Sequence, residues 1–569
     1  MPRDGRPLDR RVAAAIRSFS PICRWLPTRP RSSLAFTILA LCIVCLVLQF
    51  GFWEDKFPVQ SGFVYRLRDG SQSHPVEHLH AAAKKQFDAL LARQSTTPEG
   101  AVVEYRRRYG RVPPPGFERW FAFAREHSSP IVDDYDEMMR SLEPFWKMAP
   151  ADVVRLMERS DSPGQTRGAI KKCFVAGGKL KDCGAWADVM SRYLGAALRG
   201  IPNMTFLANY MDEPAVLPRH PIVSPSDSDE KFVWSEISHQ PIWPQVQDMC
   251  AKIGGPSEKA PVDGALAAED SGEEPRFVRN VTRGTDLCAH PEFREAHGYL
   301  ASAVSSFHIG HAVPVLSRAV PRPFGDILFP APSYSWPQFA YSAWRDRSWR
   351  RKTDALYWAG SNTGSYTHDE TWRRHHRQRL VLLGLGADEG KKFTYLRKAG
   401  GGDSWMPYTT SRFDRSLYHV AMTKIRACDE PACREQNDAF RPRKKPEPAS
   451  EPYRYKYVFD IDGNSLSGRF YRLLASNSAV LKTTIFKEWH DERLVPWLHY
   501  IPVSLGLEEL PELVRFLATT DEGREVGRRV AEAGKRWHAK ALREVDRGVY
   551  FYRLLLEIAW LQSTERAAG

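Results

Sequence analysis

The residues best suited to chemistry lie between Lys456 and Val503, in KYVFDIDGNSLSGRFYRLLASNSAVLKTTIFKEWHDERLVPWLHYIPV. Tyr457 to Phe459 are strand formers, Gly463 and Gly468 permit close backbone approach, and Arg469 opens a helical stretch through Tyr471, Leu473 and Leu474. A strand that runs through a glycine loop into a helix offers free N–H groups and a positive dipole end to a phosphate. Arg469 adds a permanently charged fork that can neutralise a departing diphosphate. Asp460-Ile461-Asp462 could hold a divalent cation there, since magnesium sites need only one or two carboxylates beside phosphates. The loop already has a guanidinium and a helix end for that charge, so no metal is expected. The same run fails as an EF-hand, with Ser465 in place of the glycine and Tyr471 in place of the bidentate glutamate. Glu488, Trp489 and His490 read equally as nucleoside contacts or as a structural corner before Pro496.

These groups require an α/β scaffold. From about residue 116 to 345 predicted helices alternate with short apolar runs, NMTFLANYM at 203–211 and AVPVLS at 312–317, as in a parallel layer. A second alternating segment begins near Asp354 with ALYWAG, passes the basic RRHHRQRLVLL and reaches KYVFDIDG, SAVLK and HYIPV. That rhythm is Rossmann-like. Gly254 to Pro275 reads as a surface excursion, and Arg441 to Pro452 has too many prolines for regular structure. Val545, Val549, Tyr552, Leu556 and Ala559 recur at helical spacing and predict an amphipathic helix packing back on the body.

The densest runs, FDIDGNSLSGRFYRLLASNSAVLK, EWHDERLVPWLHYIPV, GDILFPAPSYSW at 325–336 and WAGSNTGSY at 358–366, resemble glycosyltransferase family 90. That family includes the fungal capsule-associated xylosyltransferases and the animal Rumi-like protein O-glucosyltransferases. The resemblance covers roughly residues 170–520. It implies a GT-B fold of two Rossmann-like domains facing a cleft, an inverting reaction, a UDP-sugar donor and no required metal or bound cofactor. The family's donor loop falls on Asn464, Ser465, Leu466, Ser467, Gly468 and Arg469, with further donor contacts at Ser361 and Arg377. Locally, Arg377 could equally belong to a solvated face beside Arg373, Arg374 and Arg379. The family's catalytic base, an aspartate two residues before a proline, matches Asp212 in FLANYMDEP. An inverting transfer needs such a base to take the acceptor hydroxyl's proton. Read without the resemblance, Asp212 could simply cap a turn, with Glu213 beside it. The implied reaction moves xylose or glucose from UDP to a hydroxyl of a glycan, capsule or cell-wall polysaccharide among them. Protein O-glucosylation, or glycan binding without turnover, are the alternatives.

Composition narrows the setting. The formal charge of +13 is concentrated partly in the arginine-rich first 33 residues, and no nucleic-acid motif accompanies it. His308-Ile309-Gly310-His311 spells a motif of class I aminoacyl-tRNA synthetases, but it lacks the early position and the lysine-serine partner loop, and reads as a turn. Leu34 to Phe52 carries no charge over nineteen residues, near the ~20 a helix needs to cross about 30 Å of hydrocarbon. With arginines before it and Glu54 and Asp55 after it, the positive-inside rule predicts a single signal anchor, lumenal beyond residue 53. The expected order is a cytosolic tail at 1–33, a span at 34–53, a stem at 54–115, an acceptor and base domain at 116–345, a donor domain at 346–520, and return helices at 521–569. A type II Golgi membrane protein follows. Cys173, Cys183, Cys250, Cys288, Cys428 and Cys433 are then lumenal, and nearest-neighbour pairing is the simplest of 15 disulfide connectivities. Asn203-Met-Thr205 and Asn280-Val-Thr282 are glycosylation sequons.

Overall fold

Strand-forming runs in the two halves of the chain build two five-stranded sheets. The computed structural model describes residues 64–65, 72–161, 163–219, 232–253, 275–387, 390–399, 404–442 and 447–567. The expected tail, the span at Leu34 to Phe52 and all but the last residue of the excursion at Gly254 to Pro275 lie outside the described residues. Among the described residues no helix is long and apolar enough to cross a membrane.

The first sheet contains β1 (Ile170–Ala176), β2 (Lys179–Lys181), β3 (Met204–Asn209), β4 (Val315–Ser317) and β5 (Ile327–Leu328), in the order β2-β1-β3-β4-β5. Strand β1 is antiparallel to both neighbours, whereas β3, β4 and β5 are parallel. The second contains β6 (Thr353–Ser361), β7 (Tyr418–Lys424), β8 (Tyr455–Ile461), β9 (Ala479–Thr483) and β10 (Ile501–Pro502), ordered β7-β6-β8-β9-β10 and parallel throughout. Parallel strands covered on both faces read as nearly continuous apolar runs, and every residue of β8 is buried. Its two charges are matched: Lys456 pairs with Asp354 at 2.7 Å, and Asp460 lies opposite Lys482 in the β8–β9 register.

Helix α1 (Pro75–Ala92) overturns the stem assignment for its part of the chain. Val76, Leu79, Ala83 and Leu90 are buried along one face. His74 stacks on Phe516 with ring centroids 3.7 Å apart and contacts Glu512 Oε1 at 3.0 Å. Residues from about 74 onward therefore belong to the folded body, because α1 has an apolar stripe to cover. Part of the basic run RRHHRQRLVLL forms α2 (His376–Leu385), ended by Gly386 at φ 66°. The helix opened by Arg469 is short, α3 (Phe470–Leu474).

At the C-terminus, α4 (Asp521–Ala541) is capped by Thr520, whose side chain accepts from Gly523 N, and packs beside the second sheet. Helix α5 (Glu544–Gln562) crosses to the first sheet and the helix Ala187–Leu194. A Cβ at Gly548 would meet Tyr193 O at 1.9 Å, so glycine permits that approach. Helix α5 is not amphipathic in place: every residue from Asp546 to Ala559 is buried, while Val545 is half-buried. Its charges are neutralised internally, Arg553 Nε donating to Glu557 Oε1 at 2.8 Å, as buried charge requires. The disulfides join Cys173 to Cys183, Cys250 to Cys288 and Cys428 to Cys433, the nearest-neighbour pattern.

Candidate functional site

In the second sheet the chain starts at β6, steps one way to β7 and then the other way to β8. The C-terminal ends of β6 and β8 therefore flank a topological switch point, where open α/β sheets bind ligands. Ser361 ends β6, and the 462–468 loop follows β8. Arg377, from α2, bridges the two: Nη1 donates to Ser361 O at 3.0 Å and Thr363 Oγ1 at 2.8 Å, Nη2 to Ile461 O at 3.2 Å, and Nε to Asp462 O at 2.5 Å. Asn464 Oδ1 accepts from Gly364 N at 3.1 Å, closing one loop on the other. Arg377 is thus buried between the two loops and is no member of a solvated helix face.

Arg469 is half-buried and donates through Nη1 to Ala359 O at 2.7 Å. Both guanidinium carbons lie 5.7 Å from the centroid of the Trp358 ring. Burial, and then the charge of Arg469, depress the pKa of Arg377, and burial depresses that of Arg469. Two desolvated cations sharing one aromatic neighbour are stabilised by an anion placed between them.

The glycines act differently from expectation. A Cβ at Gly468 would sit 2.6 Å from the Phe339 ring, and one at Gly463 would meet Arg377 Nη2 at 3.1 Å. Both make room for protein side chains. The Asp460-Ile461-Asp462 carboxylates are likewise engaged. Asp460 accepts from Ser467 Oγ at 2.5 Å and Lys482 Nζ at 3.0 Å, which ties the 462–468 loop to β9. Asp462 Oδ2 accepts from Ile485 N at 3.0 Å and contacts His297 Nε2 at 3.4 Å, while Oδ1 is buried without a partner. Among the described residues no group of three His, Cys, Asp or Glu side chains is placed to hold a metal ion.

Glu488, Trp489 and His490 form the structural corner rather than a surface. All three are buried, Tyr334 Oη donates to Glu488 Oε2 at 2.6 Å, and burial lifts the Glu488 pKa to about 8. His308, read as part of a turn, lies in the strand Phe307–Ile309, buried against Gln245 and Ser306.

Asp212 follows β3 and is exposed, at 54% of its side chain. Arg318, just past β4, donates through Nη2 to Asp212 Oδ1 at 2.7 Å and to Met211 O at 2.6 Å, with its guanidinium 5.1 Å from the Trp186 ring. Arg318 is a partner that sequence reading missed; only its place after an apolar strand could have signalled it. Glu213 is buried, and burial, followed by the neighbouring Asp212 charge, pushes its pKa up to about 8. Residues 297–306 connect the two strand-end regions. Ser305 Oγ donates to Glu213 at 3.3 Å, and Tyr366 N to Ser302 O at 2.8 Å. A cavity of about 360 Å³ bordered by Phe145, Met249, Phe324 and Lys487 includes none of Asp212, Ser361, Arg377 or Arg469. Strand-end placement and charge, not cavity size, mark the site.

A buried and a half-buried arginine at the switch point of a parallel, Rossmann-like sheet form an arrangement that could hold an anionic ligand. Residues 301–568 match the model of Glycosyl transferase family 90. The matched residues contain Ser361, Arg377 and 464–469; Asp212 precedes them. Protein O-glucosyltransferase 1 of Bos taurus and of Homo sapiens are each 25% identical over 269 residues, 43% of this chain and 57% of theirs. The O-glucosyltransferase rumi homolog of Aedes aegypti is 37% identical over 106 residues, 18% of this chain and 25% of its own. The chain therefore spans little more than half the length of the bovine and human relatives.

Proposed function

We propose that the protein is an inverting glycosyltransferase of GT-B architecture that moves xylose or glucose from a UDP donor to an acceptor hydroxyl. The observation that carries this reading is the Arg377 and Arg469 pair beside Trp358 at the switch point, within the family-matched stretch. The diphosphate of the donor would lie against Arg469 and the loop from Asn464 to Gly468, with Ser361 and Arg377 beneath. Asp212 takes the acceptor hydroxyl's proton as that oxygen forms its bond to C1 of the sugar. The bond from C1 to the diphosphate oxygen breaks on the opposite face, and UDP leaves with its charge met by Arg469. Arg377 is held by backbone carbonyls and acts mainly by fixing the two loops. The reading uses no divalent metal; the engagement of Asp460 with Ser467 and Lys482 supports it.

A glycan acceptor is our leading reading. Protein O-glucosylation is the second, favoured by the names of the relatives. Release of UDP from a panel of UDP-sugars, with mannan or with serine-bearing protein acceptors, separates them. No UDP release from any UDP-sugar would refute the enzyme. Three disulfides fit an oxidising compartment, and with the charge-free run at 34–52 they support a Golgi-type, single-pass anchor with the body lumenal. Degradation of the body by protease in intact microsomes would refute that topology.

A further inference from the structure

The run GDILFPAPSYSW has no part in the reaction as drawn above, yet it begins with a carboxylate that is almost wholly buried. From its contacts we infer that Asp326 is a positioning residue for Asp212, fixing the loop that carries the base to the ends of β3, β4 and β5. The inference rests on the reading of Asp212 as the base.

Asp326 is 3% exposed and accepts three hydrogen bonds. Ala215 N donates to Oδ1 at 2.8 Å, Val216 N to Oδ2 at 2.8 Å, and Ser317 Oγ to Oδ1 at 2.6 Å. On the near side of the base stands Asn209, the last residue of β3, fully buried. Its Oδ1 accepts from Met211 N at 2.9 Å, and its Nδ2 donates to Glu213 O at 2.7 Å and to Ser317 Oγ at 3.0 Å. Residues on both sides of Asp212 are thus tied to two side chains, Asn209 and Asp326, and Ser317 at the end of β4 joins these two anchors.

These bonds replace a ladder that the loop cannot make. Pro214 has no N–H, and backbone groups buried beside it must find other partners. Only a carboxylate can accept from two successive N–H groups and a hydroxyl at once; an amide would turn an NH₂ toward one of the donors. Arg318, the residue after Ser317, then orients the head of Asp212 through its 2.7 Å contact. An exposed base gains little precision from packing on itself. It must nevertheless reach its proton at ~2.6–3.2 Å, and a misplacement of about 1 Å costs on the order of 10² in rate.

The test uses the full-length protein and UDP release from UDP-xylose or UDP-glucose with water as acceptor. In Asp326→Asn we expect kcat to fall about 10- to 100-fold, with donor KM and UDP affinity unchanged. A role confined to stability would lower the melting temperature and leave kcat of the folded fraction alone. Unchanged kcat in folded Asp326→Asn, alongside an inactive Asp212→Asn, overturns the positioning role and leaves the base reading intact. Turnover by Asp212→Asn removes the base itself and the inference with it. Should Asp326→Asn fail to fold, Ser317→Ala decides: a several-fold loss in kcat at constant donor KM supports the inference, and full activity overturns it.

Discussion

The two sheets share a strand order and differ in one strand direction, and that difference separates the two proposed halves of the site. In the second sheet all strands run the same way, so the loops after β6 and β8 meet at the switch point, where Arg377 bridges them and Arg469 reaches Ala359 O. In the first sheet β1 runs against β3, and Ile170 at its start pairs with Asn209 at the end of β3. No crevice opens between those two strands. The chain instead leaves β3 into a loop that shows Asp212 to solvent while its backbone is tied beneath to Asn209 and Asp326. Cations that hold a charged ligand gain strength from burial, because electrostatic interaction grows as water is excluded. A base that must meet an incoming hydroxyl needs access more than burial.

Exchanging the chemistry at each site would break this comparison. The largest effect is expected at Asp212→Asn, where kcat should drop about 10² to 10⁴ as the amide cannot take the proton. UDP affinity, measured by calorimetry, should persist; loss of UDP binding would move Asp212 to the donor side. Next comes Arg469→Ala, with a rate loss of roughly 10² to 10³ and, unlike Asp212→Asn, weakened UDP binding. A folded variant with wild-type donor KM and kcat would exclude Arg469 from the site.

Arg377→Lys sharpens the contrast between holding a loop and touching a ligand. Lysine cannot reproduce the fork that serves Ser361 O, Ile461 O and Asp462 O. Urea unfolding should show a loss of about 1–3 kcal/mol from the orphaned groups, with donor KM raised. Unaltered stability would show that those carbonyls do not depend on the guanidinium.

The smallest effect on rate is expected at Glu213→Gln. The folded-state pKa of Glu213 is raised to about 8, so its protonation favours the fold; that contribution is complete below the unfolded value and lost as pH rises toward 8. Glutamine mimics the neutral form. The variant should keep turnover within a few-fold and be more stable than the parent at pH 8 by about 1–3 kcal/mol, with the gap closing toward pH 4.5. An inactive Glu213→Gln beside an active Asp212→Asn would transfer the base role by one residue.

Legibility differed between the two regions for a physical reason. Strand β8 stands out in YVF and its neighbours because both of its faces are buried. Strand β1, IKKCFVA, passes unnoticed because its buried positions alternate with more exposed ones, the lysines among them. Helix α1 shows its alanines and charges more plainly than its thin apolar stripe, and so reads as a stem. For α5 the heptad-like spacing marks one face, while burial on every side comes from neighbours remote in sequence.

Local order carries the rest of what the sequence alone determined: the Rossmann-like rhythm, the glycine loop and its arginine, the aspartate before a proline, and the even set of six cysteines. These depend on residue type and short spacing, which a linear chain displays directly. Only the tertiary structure decided that Arg377 faces inward onto carbonyls, that Gly468 makes room for Phe339, that Asp460 is committed to Lys482, and that Arg318 meets Asp212. Each of these joins residues from different elements, and solvation and charge at a site are set by whatever the fold brings within a few ångströms.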